Sequence, residues 1–135
     1  MKLLLDTHAL LWWQAKSKKL SRRAAREIAR ADVLLVSSIS CWEVATLLAE
    51  GRIQLDRTID AWLEDMASDD TIDLVPLTPR AAIQAFALEV GGFHGDPADR
   101  LIYATAADLM VPLVTADTRI HDFVEDARLP VRLVW

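Results

Sequence analysis

Three short apolar runs, at residues 3–5, 33–36 and 111–114, each adjoin segments whose apolar residues recur at helical spacing, and this alternation restricts the fold more than any other feature. Runs of this length without polar alternation suit strands buried on both faces, and parallel strands need helical crossovers between them. The first run leads into a helix over 7–14. Ser21 stands at an N-cap position before a basic helix over 22–31. The second run leads into a helix over 41–50, ended by Gly51, and residues 58–67 carry Ile59, Trp62, Leu63 and Met66 on one helical face. A strand over 72–77 precedes Thr78-Pro79, which opens a helix running to the Gly91-Gly92 pair. Asp96-Pro97 opens another, reaching Met110, and a final strand falls over 131–135. The pattern predicts an α/β fold with a mainly parallel sheet covered on both faces.

At 135 residues the chain corresponds to a single domain spanning 1–135, and its 53% hydrophobic content excludes disorder. Asp6 and His8 interrupt the first apolar run too early for a signal peptide, and the other apolar stretches are too short to cross a bilayer. Cys41 is the only cysteine, so no internal disulfide forms and a reducing cytoplasm is the expected home.

In parallel α/β sheets ligands bind beyond the carboxyl ends of the strands, and here those ends carry acids. Asp6 closes the first strand and Asp117 lies just past the strand over 111–114. Glu43 lies early in the helix after the second strand, and Asp99 in the first turn of the helix that begins at Asp96-Pro97. Each has an ordinary structural role: Ser40-Cys41-Trp42-Glu43 matches a capping box, Asp96 suits an N-cap, and Asp6 and Asp117 suit turns. Those roles do not explain why acids sit at two strand ends and two helix starts of one sheet edge. Gathered carboxylates repel unless a cation offsets them, and a hard divalent ion such as Mg²⁺ suits oxygen ligands. Such an ion can activate water against a phosphodiester. Thr7, Ser38 and Thr115 are candidate hydroxyl contacts to water or a phosphate oxygen, with Asp96 an auxiliary acid.

Four segments in order resemble the PIN-domain ribonucleases, especially the VapC-like toxins of bacterial toxin-antitoxin pairs: Leu3-Leu4-Leu5-Asp6-Thr7-His8, Ser37-Ser38-Ile39-Ser40-Cys41-Trp42-Glu43, His94-Gly95-Asp96-Pro97-Ala98-Asp99-Arg100, and Leu113-Val114-Thr115-Ala116-Asp117. The resemblance implies a three-layer α/β/α domain that cuts RNA with Mg²⁺ or Mn²⁺, leaving a 5'-phosphate and a 3'-hydroxyl. It also implies a small cognate antitoxin of the VapB-like kind and a homodimer. Residue by residue, Asp6, Glu43, Asp99 and Asp117 match its acidic quartet, with Asp6 and Asp99 as expected direct metal ligands and Glu43 and Asp117 ligating or orienting water. Relatives often carry a lysine where this chain has Thr46 and a bulky aromatic where it has Ala98, departures that bear on RNA choice.

Residues 16–30 hold Lys16, Lys18, Lys19, Arg22, Arg23, Arg26 and Arg30 against one acid, Glu27: either an RNA-guiding flank or a solvated helix face. Arg100 is a second phosphate candidate, or a structural ion-pair partner. The net charge of -5 does not exclude RNA: without Asp6, Glu43, Asp96, Asp99 and Asp117, fifteen acids stand against fifteen bases. Two rival readings are a receiver-type phosphoacceptor module, which needs an acceptor aspartate on a central strand and a late lysine that the chain lacks, and a catalytically silent metal- or RNA-binding domain. An aspartate-nucleophile phosphatase would pair acids two residues apart, where His8 stands.

Overall fold

Leu3, Leu4 and Leu5 have no exposed surface in the computed structural model, which describes residues 1–135. They form β1 (Lys2–Leu5), the middle strand of a five-stranded, all-parallel sheet. The remaining strands are β2 (Val33–Ser37), β3 (Ile72–Val75), β4 (Leu113–Val114) and β5 (Leu133–Val134), and the spatial order is β3-β2-β1-β4-β5. The order reverses between β1 and β4, whose register pairs Leu5 with Val114. Such a reversal opens a crevice at the strand carboxyl ends.

Alternate residues of these strands point to opposite faces. Leu3, Leu5, Leu34 and Val36 pack on one face with residues of α1 (Thr7–Gln14), α2 (Arg22–Arg30), α3 (Ser38–Ala49) and α4 (Ile59–Ala67). Leu4, Leu35 and Leu113 pack on the other with α6 (Pro97–Leu109) and α7 (Thr118–Ala127). The remaining helix, α5 (Pro79–Val90), meets α6 through Ala81, Ala85 and Ala104, small side chains that allow close approach. The result is the expected three-layer α/β/α architecture.

Departures from expectation occur at element ends. Strand β3 stops at Val75 because Pro76 has no N–H for the ladder, and β4 begins only after Pro112. Helix α3 begins at Ser38, not Cys41: Ser37 is its N-cap, with Oγ accepting from the Ile39 N–H at 3.1 Å. Ser40 is therefore inside the helix and buried, and no capping box with Glu43 forms. Helix α7 was not expected, although Ile120, Phe123, Val124 and Ala127 have helical spacing. No helix is long and apolar enough to cross a membrane.

Candidate active site

Asp6 follows β1 and caps α1, its Oδ1 accepting from the Ala9 N–H at 2.8 Å. Its own N–H donates to the Val114 carbonyl at 3.0 Å, which fixes it over the β1/β4 junction. Burial pushes its pKa up; the Thr115 hydroxyl, the Ala9 N–H and His8 oppose that, while the Glu43 charge adds to it.

Glu43 reaches the same place from the second turn of α3. Thr7 Oγ1 donates to Glu43 Oε1 at 2.5 Å and lies 3.0 Å from Oγ of buried Ser40. Asp99 enters from the first turn of α6, whose N-cap is Asp96, with Oδ1 accepting from the Ala98 N–H at 3.1 Å. Burial, then repulsion from Asp117, Glu43, Asp96 and Asp6, pushes the Asp99 pKa up to about 7.

Asp117 caps α7. Burial pushes its pKa up, but hydrogen bonds and charge from Arg119 outweigh this and leave it lowered. The Arg119 guanidinium lies 3.1 Å from Asp117 Oδ2 and 3.8 Å from Asp99 Oδ2, so it partly neutralises both acids. Sequence reasoning missed Arg119; its place two residues after a strand-end aspartate that caps a helix was the available signal.

The acids Asp6, Glu43, Asp96, Asp99 and Asp117 line one cleft of about 420 Å³. A larger depression of about 610 Å³, lined by Trp13, Leu20, Met66 and Ile72 among others, shows no comparable convergence. No three acidic, imidazole or thiol side chains stand in ready ligating geometry. Magnesium does not require that, since it is commonly held by one or two carboxylates and keeps several waters. The donors are hard oxygens, they repel one another, and one is held near pKa 7: this chemistry fits a divalent cation.

The polar neighbours differ from the expected contacts. Thr7 engages Glu43, and buried Thr115 uses Oγ1 to accept from the Asp117 N–H at 3.1 Å, so both hydroxyls position acids. Ser38 is exposed at the start of α3 and does not line the cleft. His8 lines it, whereas His94 does not. His121 is half-buried, with Nε2 2.8 Å from the Thr115 carbonyl oxygen.

Arg100 takes the structural one of its two expected roles. It is buried, donating from Nη1 to the carbonyls of Phe93 at 3.3 Å and Gly95 at 2.6 Å, with Nη2 3.6 Å from Glu89. It ties down the loop before α6 rather than presenting charge to a phosphate. Arg100→Ala is expected to cost about 1–3 kcal/mol, the penalty for stripping buried acceptors of a charged donor, and to lower the urea midpoint accordingly. Unchanged unfolding would remove the anchoring role.

The PIN-domain family profile matches residues 3–125. The chain is 44% identical over 118 residues to Ribonuclease VapC22 of Mycobacterium tuberculosis, covering 87% of this chain and 88% of that protein. Among solved structures, VapBC-1 from nontypeable Haemophilus influenzae superposes with TM-score 0.67 at 16% identity, covering 98% of this chain and 96% of that one. Mycobacterium tuberculosis VapC20, described as a sarcin-ricin loop cleaving toxin, gives TM-score 0.67 at 16% identity, with 96% and 98% covered. DNA-bound VapBC from Salmonella typhimurium gives TM-score 0.61 at 23% identity, with 98% and 96% covered. By profile, relative and architecture together, the chain belongs to the PIN-domain family, in its VapC-like branch.

Proposed function

We propose that this protein is an endoribonuclease that hydrolyses RNA phosphodiester bonds with Mg²⁺ or Mn²⁺, and that it acts in the cytoplasm as the toxin of a toxin-antitoxin pair. The carrying observation is the convergence of Asp6, Glu43, Asp99 and Asp117 on one cleft at the reversal of strand order. The name of the 44% identical relative, a ribonuclease, supports the reaction, and a fold neighbour described as a toxin-antitoxin complex supports the biological role.

Asp6 and Asp99 would hold the cation, with Glu43 and Asp117 completing the donor set or orienting water. The cation, when bound, supplies a Lewis acid that activates water and offsets charge developing on the phosphate. Asp6 is held rigid by its cap bond and by the sheet, and Thr7 fixes Glu43. Arg119, exposed and facing Asp99 and Asp117, is the side chain placed to pair with a substrate phosphate. The basic stretch over 16–30 adds a flank for the backbone. A small antitoxin would block the same cleft. Ile83, Phe86 and Val90, 66–72% exposed along one face of α5, offer an apolar stripe for pairing two copies. Residues 1–135 form one PIN domain in this reading.

The test is an incubation of purified protein with single-stranded RNA. Cleavage is expected with Mg²⁺ or Mn²⁺, lost with EDTA and restored by excess cation, with products ending in 5'-phosphate and 3'-hydroxyl. Equal turnover in EDTA would sink the metal role, and intact RNA under every condition would sink the nuclease, leaving a silent binding domain.

A further inference from the structure

Beside the acidic cleft lies a second groove of about 390 Å³, within the range of ligand-binding clefts. Its lining includes His8, Leu11, Trp12, Ile53, Leu55 and Trp62. His8 and Trp12 also line the acidic cleft, so the two depressions share one aromatic wall. Buried Trp62 is fixed by donation from Nε1 to Gln14 Oε1 at 2.8 Å. The charges in the groove are already matched: Arg57 pairs with Asp56 at 2.6 Å and with Asp65 at 2.8 Å.

The wall has the character of a stacking surface. Trp12 is half-buried, with His8 and Trp135 each 5.7 Å away between ring centroids and tilted by 51° and 54°. Lys19 Nζ lies 5.9 Å from the Trp12 ring centroid, which brings the basic stretch over 16–30 to the groove. None of these features is needed to place the acids.

We infer that the Trp12/His8 wall is a nucleobase subsite, which stacks the base of the nucleotide next to the scissile phosphate; this rests on the ribonuclease reading above. Stacking of a base on an aromatic side chain is worth about 5- to 150-fold in affinity, whereas an exposed cation-π contact is worth about 2- to 5-fold. A base therefore displaces Lys19 from the ring, and the freed ammonium remains close enough to meet the adjoining phosphate. The aromatic surface accepts any base, so the subsite holds and registers the strand without reading its sequence. A short single strand fits this wall; a duplex, whose bases are already stacked, does not.

The experiment measures binding of a fluorescein-labelled single-stranded RNA to the cleavage-deficient Asp99→Asn protein, alone and combined with Trp12→Ala or Trp12→Phe. Circular dichroism and melting confirm that each variant folds. Trp12→Ala is expected to weaken binding about 5- to 150-fold, Trp12→Phe to restore most of it, and the Trp12→Ala effect to vanish on an oligomer with abasic sites. Full affinity in Trp12→Ala, or an equal loss in Trp12→Phe and on the abasic oligomer, overturns the subsite and leaves the groove to a protein occupant or to structure. If Asp99→Asn protein and wild-type protein in EDTA both fail to bind RNA, the ribonuclease reading fails and the subsite falls with it. RNA binding that is indifferent to Trp12 sinks the subsite alone.

Discussion

Asp99→Asn is expected to lower RNA cleavage by at least about 100- to 1,000-fold while leaving the fold intact, and Asp6→Asn is expected to do the same. In the proposed reading both carboxylates hold the cation, and the amide keeps shape while removing charge. Asn is also a good helix cap, so Asp6→Asn can keep its bond from the Ala9 N–H, and α1 does not lose its start. The loss should therefore come without a comparable fall in melting temperature. Initial rates on a labelled RNA, alongside thermal unfolding in EDTA, check this. Full activity in either variant would remove that residue from the site.

The second large effect is on stability in the absence of cation. Asp99 titrates near 7 in the folded chain against 3.8 for an ordinary aspartate. Between about pH 4 and pH 7 the folded chain thus holds a proton that the unfolded chain has released, and stability falls as pH rises through that window. Buried Asp6, also raised, contributes with the same sign. Asp117, lowered, acts oppositely: its contribution is present above the ordinary aspartate range and lost as pH falls through its folded value. At about 1.4 kcal/mol per pKa unit, reduced because the carboxyl keeps part of its contact with solvent, Asp99→Asn should stabilise the cation-free protein at pH 8 by on the order of 3 kcal/mol, and by almost nothing near pH 4. Urea unfolding in EDTA at several pH values measures it. A pH slope unchanged by Asp99→Asn would show that the repulsion resides elsewhere. Adding Mg²⁺ or Mn²⁺ at pH 8 should raise the wild-type midpoint and do less for the variant.

The fold and the acids were legible because they rest on short-range signals. Residues 3–5 are apolar without alternation because both faces of the sheet are covered, and Thr78-Pro79 and Asp96-Pro97 mark helix starts that form at those residues. The boundary between β2 and α3 was hidden: Ser37, Ser38 and Ser40 can each cap a helix, and the folded chain uses Ser37, whose Oγ accepts from the Ile39 N–H. Helix α7 is short and lies between two strand-like runs, which mask its apolar spacing. The roles of Arg100, Thr7 and Thr115 were not legible, because their partners depend on how separate elements dock. Arg119 joins Asp117 locally, but its reach to Asp99 is likewise a tertiary fact.

The strand order also sets when the site can exist. Asp6 directly follows β1, yet its neighbours across the cleft, Asp99 and Asp117, come from α6 and from the segment after β4, and β4 itself pairs with β1. A chain that ends before Asp117 can pair β1 with β2 and β2 with β3 but has no closed acidic cleft. For a protein read as a toxin that cuts RNA, the cutting centre thus closes only once α6 and the segment after β4 have docked against β1.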